Sequence, residues 1–123
     1  DIDHFKQVND NHGHLIGDEV LINIAHMLKD SCRKVDTLGR WGGEEFLIIC
    51  KNTHIEGATK MVEQLRSKVE SMLSSTAGII TISLGVTEVT HDDNFNSLIK
   101  RADDALYQAK EQGRNQVISQ SKK

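Results

Sequence analysis

The residues best suited to chemistry form one short run, Gly42-Gly43-Glu44-Glu45, ahead of an apolar stretch. Two consecutive glycines before a strand predict a tight two-residue hairpin turn with positive φ, and without Cβ atoms they let a phosphate approach the backbone. Glu44 and Glu45 follow the turn. Because successive strand residues point to opposite faces, one carboxylate can face a ligand while the other faces away. Taken alone, the run is equally consistent with an ordinary hairpin that carries solvated acids.

A second pair of acids opens the chain. Asp1 and Asp3 share one face of an extended segment, and residues 9–13 are rich in turn formers, which predicts a loop after a strand end. Acid oxygens at such a place suit a hard cation, although solvated loop acids are the more frequent case for such a pair. His12 and His14 lack a third ligand at metal-binding spacing, which favours solvated or hydrogen-bonded histidines.

The composition bounds the class of protein. The chain has 123 residues, 37% hydrophobic and 27% charged, with a net charge of −3, so it has no broad electrostatic attraction to nucleic acid or an anionic membrane. Its longest apolar run, residues 46–50, is far shorter than the roughly 18 residues of a membrane helix, and no signal peptide is visible. We expect a cytoplasmic location, with any membrane anchor in the region preceding Asp1. Cys32 and Cys50 lack paired spacing, which predicts reduced thiols.

Hydrophobic periodicity supplies the elements that would position these residues. Helical stripes cover residues 17–33, 58–72 and 95–113, strand patterns cover 37–50, 80–86 and 117–118, and a loop is predicted over 74–78. One face of the 80–86 strand is small and polar, which leaves room for a ligand or for a packed helix. The order predicts an α+β domain with a largely antiparallel sheet covered on one face by helices, as in a ferredoxin-like βαββαβ core.

Several charged residues have simple structural interpretations. Asp18 suits the N-cap or first turn of its predicted helix. Arg33 and Asp36 form a weak surface pair at a helix end, since exposed pairs contribute little. Lys110 and Arg114 flank a helix C-terminus and complement its dipole.

Several short motifs nevertheless follow one another along the chain in the order that a known family shows. They are Asp1-Ile2-Asp3-His4-Phe5-Lys6, Asn9-Asp10, Gly13-His14, Gly17-Asp18, Arg33-x-x-Asp36, Arg40-x-Gly42-Gly43-Glu44-Glu45-Phe46, Ser83-x-Gly85, Ala102-Asp103-x-Ala105-Leu106-Tyr107-x-Ala109-Lys110 and Gly113-Arg114-Asn115. The chain closely resembles the GGDEF family of diguanylate cyclases, as a GGEEF variant, over its whole length. The resemblance implies a nucleotidyl-cyclase or palm-like fold and a single catalytic domain over residues 1–123. In other members an Asp-x-Leu-Thr-x-Leu-x-Asn-Arg stretch, a helix and the start of the first strand precede Asp1.

The resemblance also implies an activity. Two GTP molecules, one on each domain of a homodimer, would condense into cyclic di-GMP with release of two pyrophosphates. Asp1, Glu44 and the backbone carbonyl of Ile2 would hold Mg²⁺ or Mn²⁺, ions that prefer oxygen ligands. Glu45 would be a further catalytic carboxylate, binding metal or handling a proton.

The same resemblance assigns substrate contacts. Asn9 and Asp18 match guanine-binding positions, Lys6, Lys110 and Arg114 match residues near the phosphates, and Gly42 and Gly43 would lie over the triphosphate. A carboxylate at Asp18 would accept from N1–H and the exocyclic amine of guanine. It would reject ATP because adenine leaves those charges unpaired.

Regulation follows from the same comparison. Arg33 and Asp36 match the family's RxxD site for cyclic di-GMP, which predicts feedback inhibition by product. A second arginine of that site aligns near Gln64, where Arg66 is the candidate substitute. An upstream sensory domain is expected in the parent protein.

Two other functions stay open. A catalytically silent module that binds GTP or cyclic di-GMP is disfavoured by the intact Asp1, Glu44, Glu45 and Lys110. Nucleotidyl transfer onto a nucleic-acid end lacks a basic groove for a template, so no nucleic-acid partner is expected.

Overall fold

A computed structural model describes residues 1–72, 74–75 and 78–121. The elements are α1 Phe5–His12, α2 His14–Ser31, β1 Thr37–Gly42, β2 Glu45–Ile49, α3 Ile55–Met72, β3 Ser74–Ser75, β4 Gly78–Ile79, β5 Leu84–Val86, α4 Phe95–Glu111 and β6 Val117–Ser119. Among the described residues, no helix combines the length and the apolar character that crossing a bilayer requires.

The extended residues at the start of the chain join the strand pairs together. β1 and β2 form an antiparallel hairpin, and β5 pairs with β6 in parallel. Asp1 and Ser83 exchange two backbone hydrogen bonds of 3.0 Å, while Ile2 N–H points the other way and donates to the Glu44 carbonyl oxygen over 3.3 Å. Residues 1–3 therefore lie between the hairpin and the strand that leads into β5. This arrangement confirms the α+β, ferredoxin-like prediction.

The core fills one face of this sheet. Ile80 and Ile82 pack there with Ile24 of α2 and with Leu65 and Val69 of α3, and all five side chains are buried. The helical periodicity of 3.6 residues and the strand periodicity of two residues predict that these side chains face the protein core. The helices α1 to α3 thus cover the apolar face, and the expected two-layer arrangement is present there.

The opposite face also carries a helix, so the prediction that helices cover one face only is wrong. Gly85 points away from the core, and a Cβ atom at this position would overlap the carbonyl oxygen of Ala102 and lie 2.5 Å from the amide nitrogen of Leu106. Glycine lets the α4 backbone approach the strand directly. The small polar face of the 80–86 strand was compatible with a ligand or a packed helix, and the structure shows the helix α4 there.

Three other local predictions need correction. Residues 9–13 were expected to form a loop, but α1 runs from Phe5 to His12, because Phe5 and Val8 are buried one turn apart. Asp18 lies beyond the first turn of α2, so it does not cap that helix. The loop expected over 74–78 contains the short antiparallel pair β3 and β4, with residues 76–77 outside the described residues.

The start of α4 is fixed by polar contacts. Asn94 Oδ1 accepts from the Ser97 amide over 2.8 Å, completing a capping box. Inside the fold, the guanidinium of Arg101 donates to both carboxylate oxygens of Asp93, over 2.9 and 2.6 Å, and to the carbonyl oxygen of Glu88 over 2.9 Å. The Arg101 guanidinium, with further hydrogen bonds, holds the pKa of Asp93 well below its usual range.

This pair predicts an acid-dependent loss of stability. Because the pKa of Asp93 is lower in the folded than in the unfolded chain, its stabilising effect is present above about pH 4 and is lost as the pH falls below that value. We expect Asp93→Asn to lower the melting temperature at pH 7, with a difference from wild type that shrinks towards pH 3. Thermal unfolding followed by circular dichroism measures this. Asp104→Asn, which alters the exposed pair with Lys100, is the control, and a difference independent of pH would contradict the assignment.

Candidate active site

The hairpin turn is built differently from the sequence prediction. Gly42 ends β1 opposite Glu45, so Gly43 and Glu44 form the turn, and the register is irregular between Arg40 and Gly42. Neither glycine has positive φ, so the predicted turn conformation is wrong. The irregular register changes the local twist that would otherwise select a primed turn. Arg40 Nε donates to the carbonyl oxygen of Gly43 over 2.9 Å and holds the turn.

The space above the turn is open. A Cβ atom built at Gly42 or at Gly43 would have no heavy atom within 4 Å. Neither backbone conformation nor packing within the described residues requires glycine at these two positions. Bare backbone is therefore available for close approach of a ligand.

Charged groups gather beside this turn around Asp1. Its carboxylate is only 2% exposed and pairs with the ammonium group of Lys110 at the end of α4. The amide of the next residue, Ile2, donates to the carbonyl oxygen of Glu44 over 3.3 Å, so the hairpin turn lies beside Asp1. The Asp1 carboxylate, the hairpin turn and the Lys110 ammonium thus meet in one small region.

The oxygens of Asp1 fit a cation. Both are buried; within residues 1–72, 74–75 and 78–121, Oδ1 receives no hydrogen bond, and Oδ2 contacts the ammonium group of Lys110. Buried acceptors are normally satisfied, and a buried carboxylate with so few donors suits a metal ion. The described residues contain no ready group of three His, Cys, Asp or Glu side chains. The ligand set implied by the resemblance, Asp1, Glu44 and the Ile2 carbonyl, would need further oxygens from a bound nucleotide or water.

Asp3 has another role than the cation binding suggested by its spacing from Asp1. Its carboxylate accepts from Thr81 Oγ1 over 2.8 Å, from Ser83 Oγ over 2.6 Å and from the Asn115 amide over 3.0 Å. The side chain is fully occupied by protein donors. Sequence reasoning missed this anchor, and the one available signal was the small polar face carrying Thr81 and Ser83.

The end of α4 presents Arg114 on a tightly bonded turn. Arg114 N–H donates to the Ala109 carbonyl over 2.9 Å, and Gly113 N–H donates to the Lys110 carbonyl over 3.3 Å, as in a Schellman motif. Gly113, Arg114 and Asn115 have φ values of 115°, 65° and 48°. The predicted helix end at Gly113 is confirmed, and the Arg114 side chain is exposed.

The two guanine-binding candidates come from different helices that meet at Gly17. A Cβ atom at Gly17 would fall on the side-chain oxygen of Asn9, so glycine here makes room for that amide. Asn9 belongs to α1, and Asp18 follows Gly17 in α2. The structure thus brings Asn9 close to the residue before Asp18. Lys6 lies exposed near the start of α1.

Arg33 and Asp36 form a stronger unit than a surface pair. Arg33 Nη2 donates to Asp36 Oδ1 over 2.8 Å, to the Lys51 carbonyl over 2.9 Å and to Thr53 Oγ1 over 2.6 Å. The guanidinium holds the pKa of Asp36 below its usual range. Arg33 is still 48% exposed, so it remains accessible to a ligand.

Arg66 is committed to other contacts and does not support the proposed substitution for the second product-binding arginine. It donates to Glu63 Oε1 over 2.6 Å, to Glu70 Oε1 over 3.3 Å and to Asn115 Oδ1 over 2.8 Å. Its guanidinium therefore serves the α4–β6 turn. Gln64 lies beside Glu63 on a shallow surface of α3.

A cavity of about 330 Å³ lies between the hairpin and α4. Its lining includes Phe46, Val62 and Leu106, and the rings of Trp41 and Phe95 meet at its edge with centroids 5.8 Å apart. The lining also includes Asp1 and Glu45, so the cavity reaches the charged groups beside the hairpin turn, but its apolar part does not suit a triphosphate. The charged corner at Asp1 is the better candidate site.

The fold is an α+β domain. Its candidate site combines exposed glycine backbone, acidic side chains and flanking cations, which together suit a nucleotide and a divalent ion. The family model "Diguanylate cyclase, GGDEF domain" matches residues 1–116. The chain is 43% identical over 124 residues to diguanylate cyclase VdcA of Vibrio cholerae, covering 96% of this chain and 37% of that protein. The chain belongs to the GGDEF family of diguanylate cyclase domains.

Solved structures agree with this assignment. The coiled coil and GGDEF domain of DgcB from Caulobacter crescentus, solved in complex with c-di-GMP, superposes with a TM-score of 0.92 at 34% identity, covering 98% of this chain and 66% of that chain. The active GGEEF domain of a diguanylate cyclase from Vibrio cholerae gives a TM-score of 0.91 at 36% identity, covering 100% and 80%. The chain spans well under half the length of the curated relative described above.

Proposed function

We propose that this domain, within its full-length protein, condenses two GTP molecules into cyclic di-GMP and two pyrophosphates. The observation that carries the proposal is the buried Asp1 carboxylate: its Oδ1 has no hydrogen-bond donor among the described residues, its Oδ2 pairs with Lys110, and the next residue is hydrogen-bonded to the hairpin turn at Glu44. The reaction joins two nucleotides, so each domain of a homodimer would present one of them. The remainder of the parent protein would supply the sensory input and bring the domains together.

The chain's own residues have distinct tasks in this reaction. Asp1, Glu44 and the Ile2 carbonyl would hold Mg²⁺ or Mn²⁺, which when bound neutralises triphosphate charge and acidifies a coordinated hydroxyl. The 3′-oxygen of each GTP attacks the α-phosphorus of the other, so that two phosphodiester bonds form and, at each α-phosphorus, the bond to pyrophosphate breaks. Glu45 would accept the hydroxyl proton or bind metal.

Cationic and polar groups hold the substrate. Lys110 and Arg114, at the end of α4, would balance negative charge on the phosphates, with Lys110 released from Asp1. The bare Gly42-Gly43 backbone gives the triphosphate room. Lys6 would add a further positive charge from α1.

Guanine selectivity would come from Asn9 and Asp18. Their helices meet at Gly17, so an amide and a carboxylate can face one base from adjoining elements. The Asp18 carboxylate pairs with two donors on guanine, whereas adenine offers an acceptor at N1 and leaves the charge unpaired.

The direct test uses the full-length protein with GTP and Mg²⁺. We expect cyclic di-GMP and pyrophosphate in a 1:2 ratio, resolved by anion-exchange chromatography, no product from ATP, and none after chelation of the metal. A full-length dimer that binds GTP but forms no cyclic di-GMP would overturn the proposal.

Product inhibition is expected at Arg33 and Asp36. Arg33→Ala should raise the concentration of cyclic di-GMP needed for half inhibition by about tenfold or more, because it removes charge-assisted hydrogen bonds to the product. The initial rate without product should stay within about twofold, since this residue lies outside the proposed catalytic group. Initial rates at increasing cyclic di-GMP measure both quantities, with Lys34→Ala as the matched control. Equal inhibition of Arg33→Ala and wild type would place the regulatory site elsewhere.

A further inference from the structure

We infer that Asp3 is a positioning residue for the phosphate-binding turn. It would hold Asn115 so that Arg114 faces the substrate beside Asp1. The inference rests on the proposed function and assigns a task to an acid that neither binds the metal nor touches the nucleotide.

Asp3 is buried and anchors two distant parts of the chain. Its side chain reaches the strand before β5 through Thr81 and Ser83, and the turn after α4 through the Asn115 amide. Asp3 is 6% exposed and Ser83 is 0% exposed. A carboxylate that accepts three such bonds in a buried place is held rigidly.

The turn that Asp3 holds is costly to form. Arg114 and Asn115 both have positive φ, at 65° and 48°. Residues other than glycine adopt this region at a cost, which asparagine bears more easily than most. Such a conformation persists when its surroundings over-determine it.

The surroundings do over-determine it, from two sides. The Asn115 amide donates to Asp3 Oδ2 over 3.0 Å and to Ser83 Oγ over 3.1 Å, while its side-chain oxygen accepts from Arg66 Nη1 over 2.8 Å. Its side-chain nitrogen donates to Glu70. Asp3 thus fixes the backbone of the turn and α3 fixes its side chain.

Asp3 would affect catalysis through the position of the Arg114 guanidinium relative to Asp1. Arg114 immediately precedes Asn115, and Lys110 pairs with Asp1 one helical turn earlier. Release of the Asn115 amide would free the turn to leave its left-handed conformation and would move the Arg114 guanidinium. Loss of Asp3 should therefore weaken nucleotide binding and leave the metal-dependent step largely intact.

The test is a double-mutant cycle in the full-length protein, with KM and kcat for GTP and the affinity for a non-hydrolysable GTP analogue. Asp3→Ala should raise KM by about tenfold while kcat stays within about threefold, and Asp3→Asn should restore most of the loss because its amide oxygen still accepts the Asn115 amide. In the Arg114→Ala background, Asp3→Ala should change KM less than about threefold. Asp104→Ala is the control.

Three results would contradict the inference. Additive effects of Asp3→Ala and Arg114→Ala would show that Asp3 does not act through Arg114. A kcat that falls by much more than threefold in both Asp3→Ala and Asp3→Asn would indicate metal binding. If Asp3→Ala does not fold, Ser83→Ala breaks the same link more mildly, and a KM rise that persists in the Arg114→Ala background would also overturn it.

The outcome also separates the two proposals. If the protein makes cyclic di-GMP but the effects of Asp3→Ala and Arg114→Ala on KM are additive, only the positioning role of Asp3 is wrong. Failure of the wild type to bind the GTP analogue defeats both.

Discussion

Replacement of Glu44 by glutamine is expected to lower the rate of cyclic di-GMP synthesis by about 10³-fold. Glu44 lies in the turn whose backbone carbonyl accepts the Ile2 amide, so its side chain projects from the element that meets the chain start. Glutamine keeps the size and polarity of the side chain and removes its charge. The loss would therefore reflect weaker binding of a divalent cation and not a change of fold.

The measurement compares kcat for purified full-length variants over a range of Mg²⁺ concentrations. Glu56→Gln, an acid in the first turn of α3, is the matched control and should retain wild-type rates. Part of the Glu44→Gln loss should be recovered at high Mg²⁺ or Mn²⁺. A variant with at least a third of the wild-type rate would remove Glu44 from the catalytic group.

Replacement of Gly85 by valine is expected to lower the free energy of unfolding by about 3 kcal/mol or more. The added Cβ atom would collide with the α4 backbone at Ala102 and Leu106, and backbone atoms at this contact cannot move aside as a flexible side chain can. Displacement of α4 would also carry Lys110 away from Asp1. Stability and nucleotide affinity should fall together.

Urea denaturation followed by circular dichroism measures the effect on stability. Gly39→Val is the matched control, because a Cβ atom at this exposed β1 position meets no heavy atom within 4 Å and valine favours strands. We expect the control to lie within about 0.5 kcal/mol of wild type. Equal stability of Gly85→Val and Gly39→Val would show that α4 does not pack against this strand as described.

The long helices and the hairpin were predictable from the sequence because their hydrophobic patterns extend over many residues. The helices α2, α3 and α4 each repeat apolar residues over several turns, and the hairpin alternates over two strands. The helix α1 was missed because its eight residues bury only Phe5 and Val8 among polar neighbours. Its stability comes from packing against the core, which local pattern does not reveal.

The site was predictable only in part. The resemblance assigned both Asp1 and Lys110 to the site, and the structure brings them together across the whole chain. No periodicity could have paired them. The same limit applies to Asp3, whose partners at positions 81, 83 and 115 are remote in sequence. The turn conformation at Gly43 depends on a register shift at Trp41 that glycine content alone does not specify.

The most direct test of the shared-cation site is a crystal structure of the full-length protein with Mn²⁺ and a non-hydrolysable GTP analogue. The account predicts an anomalous peak bonded to carboxylate oxygens of both Asp1 and Glu44 and to phosphate oxygens, with Lys110 released from Asp1 and turned to the phosphates. Ordered nucleotide with manganese bound away from either carboxylate, or with Asp1 still paired to Lys110, would contradict it.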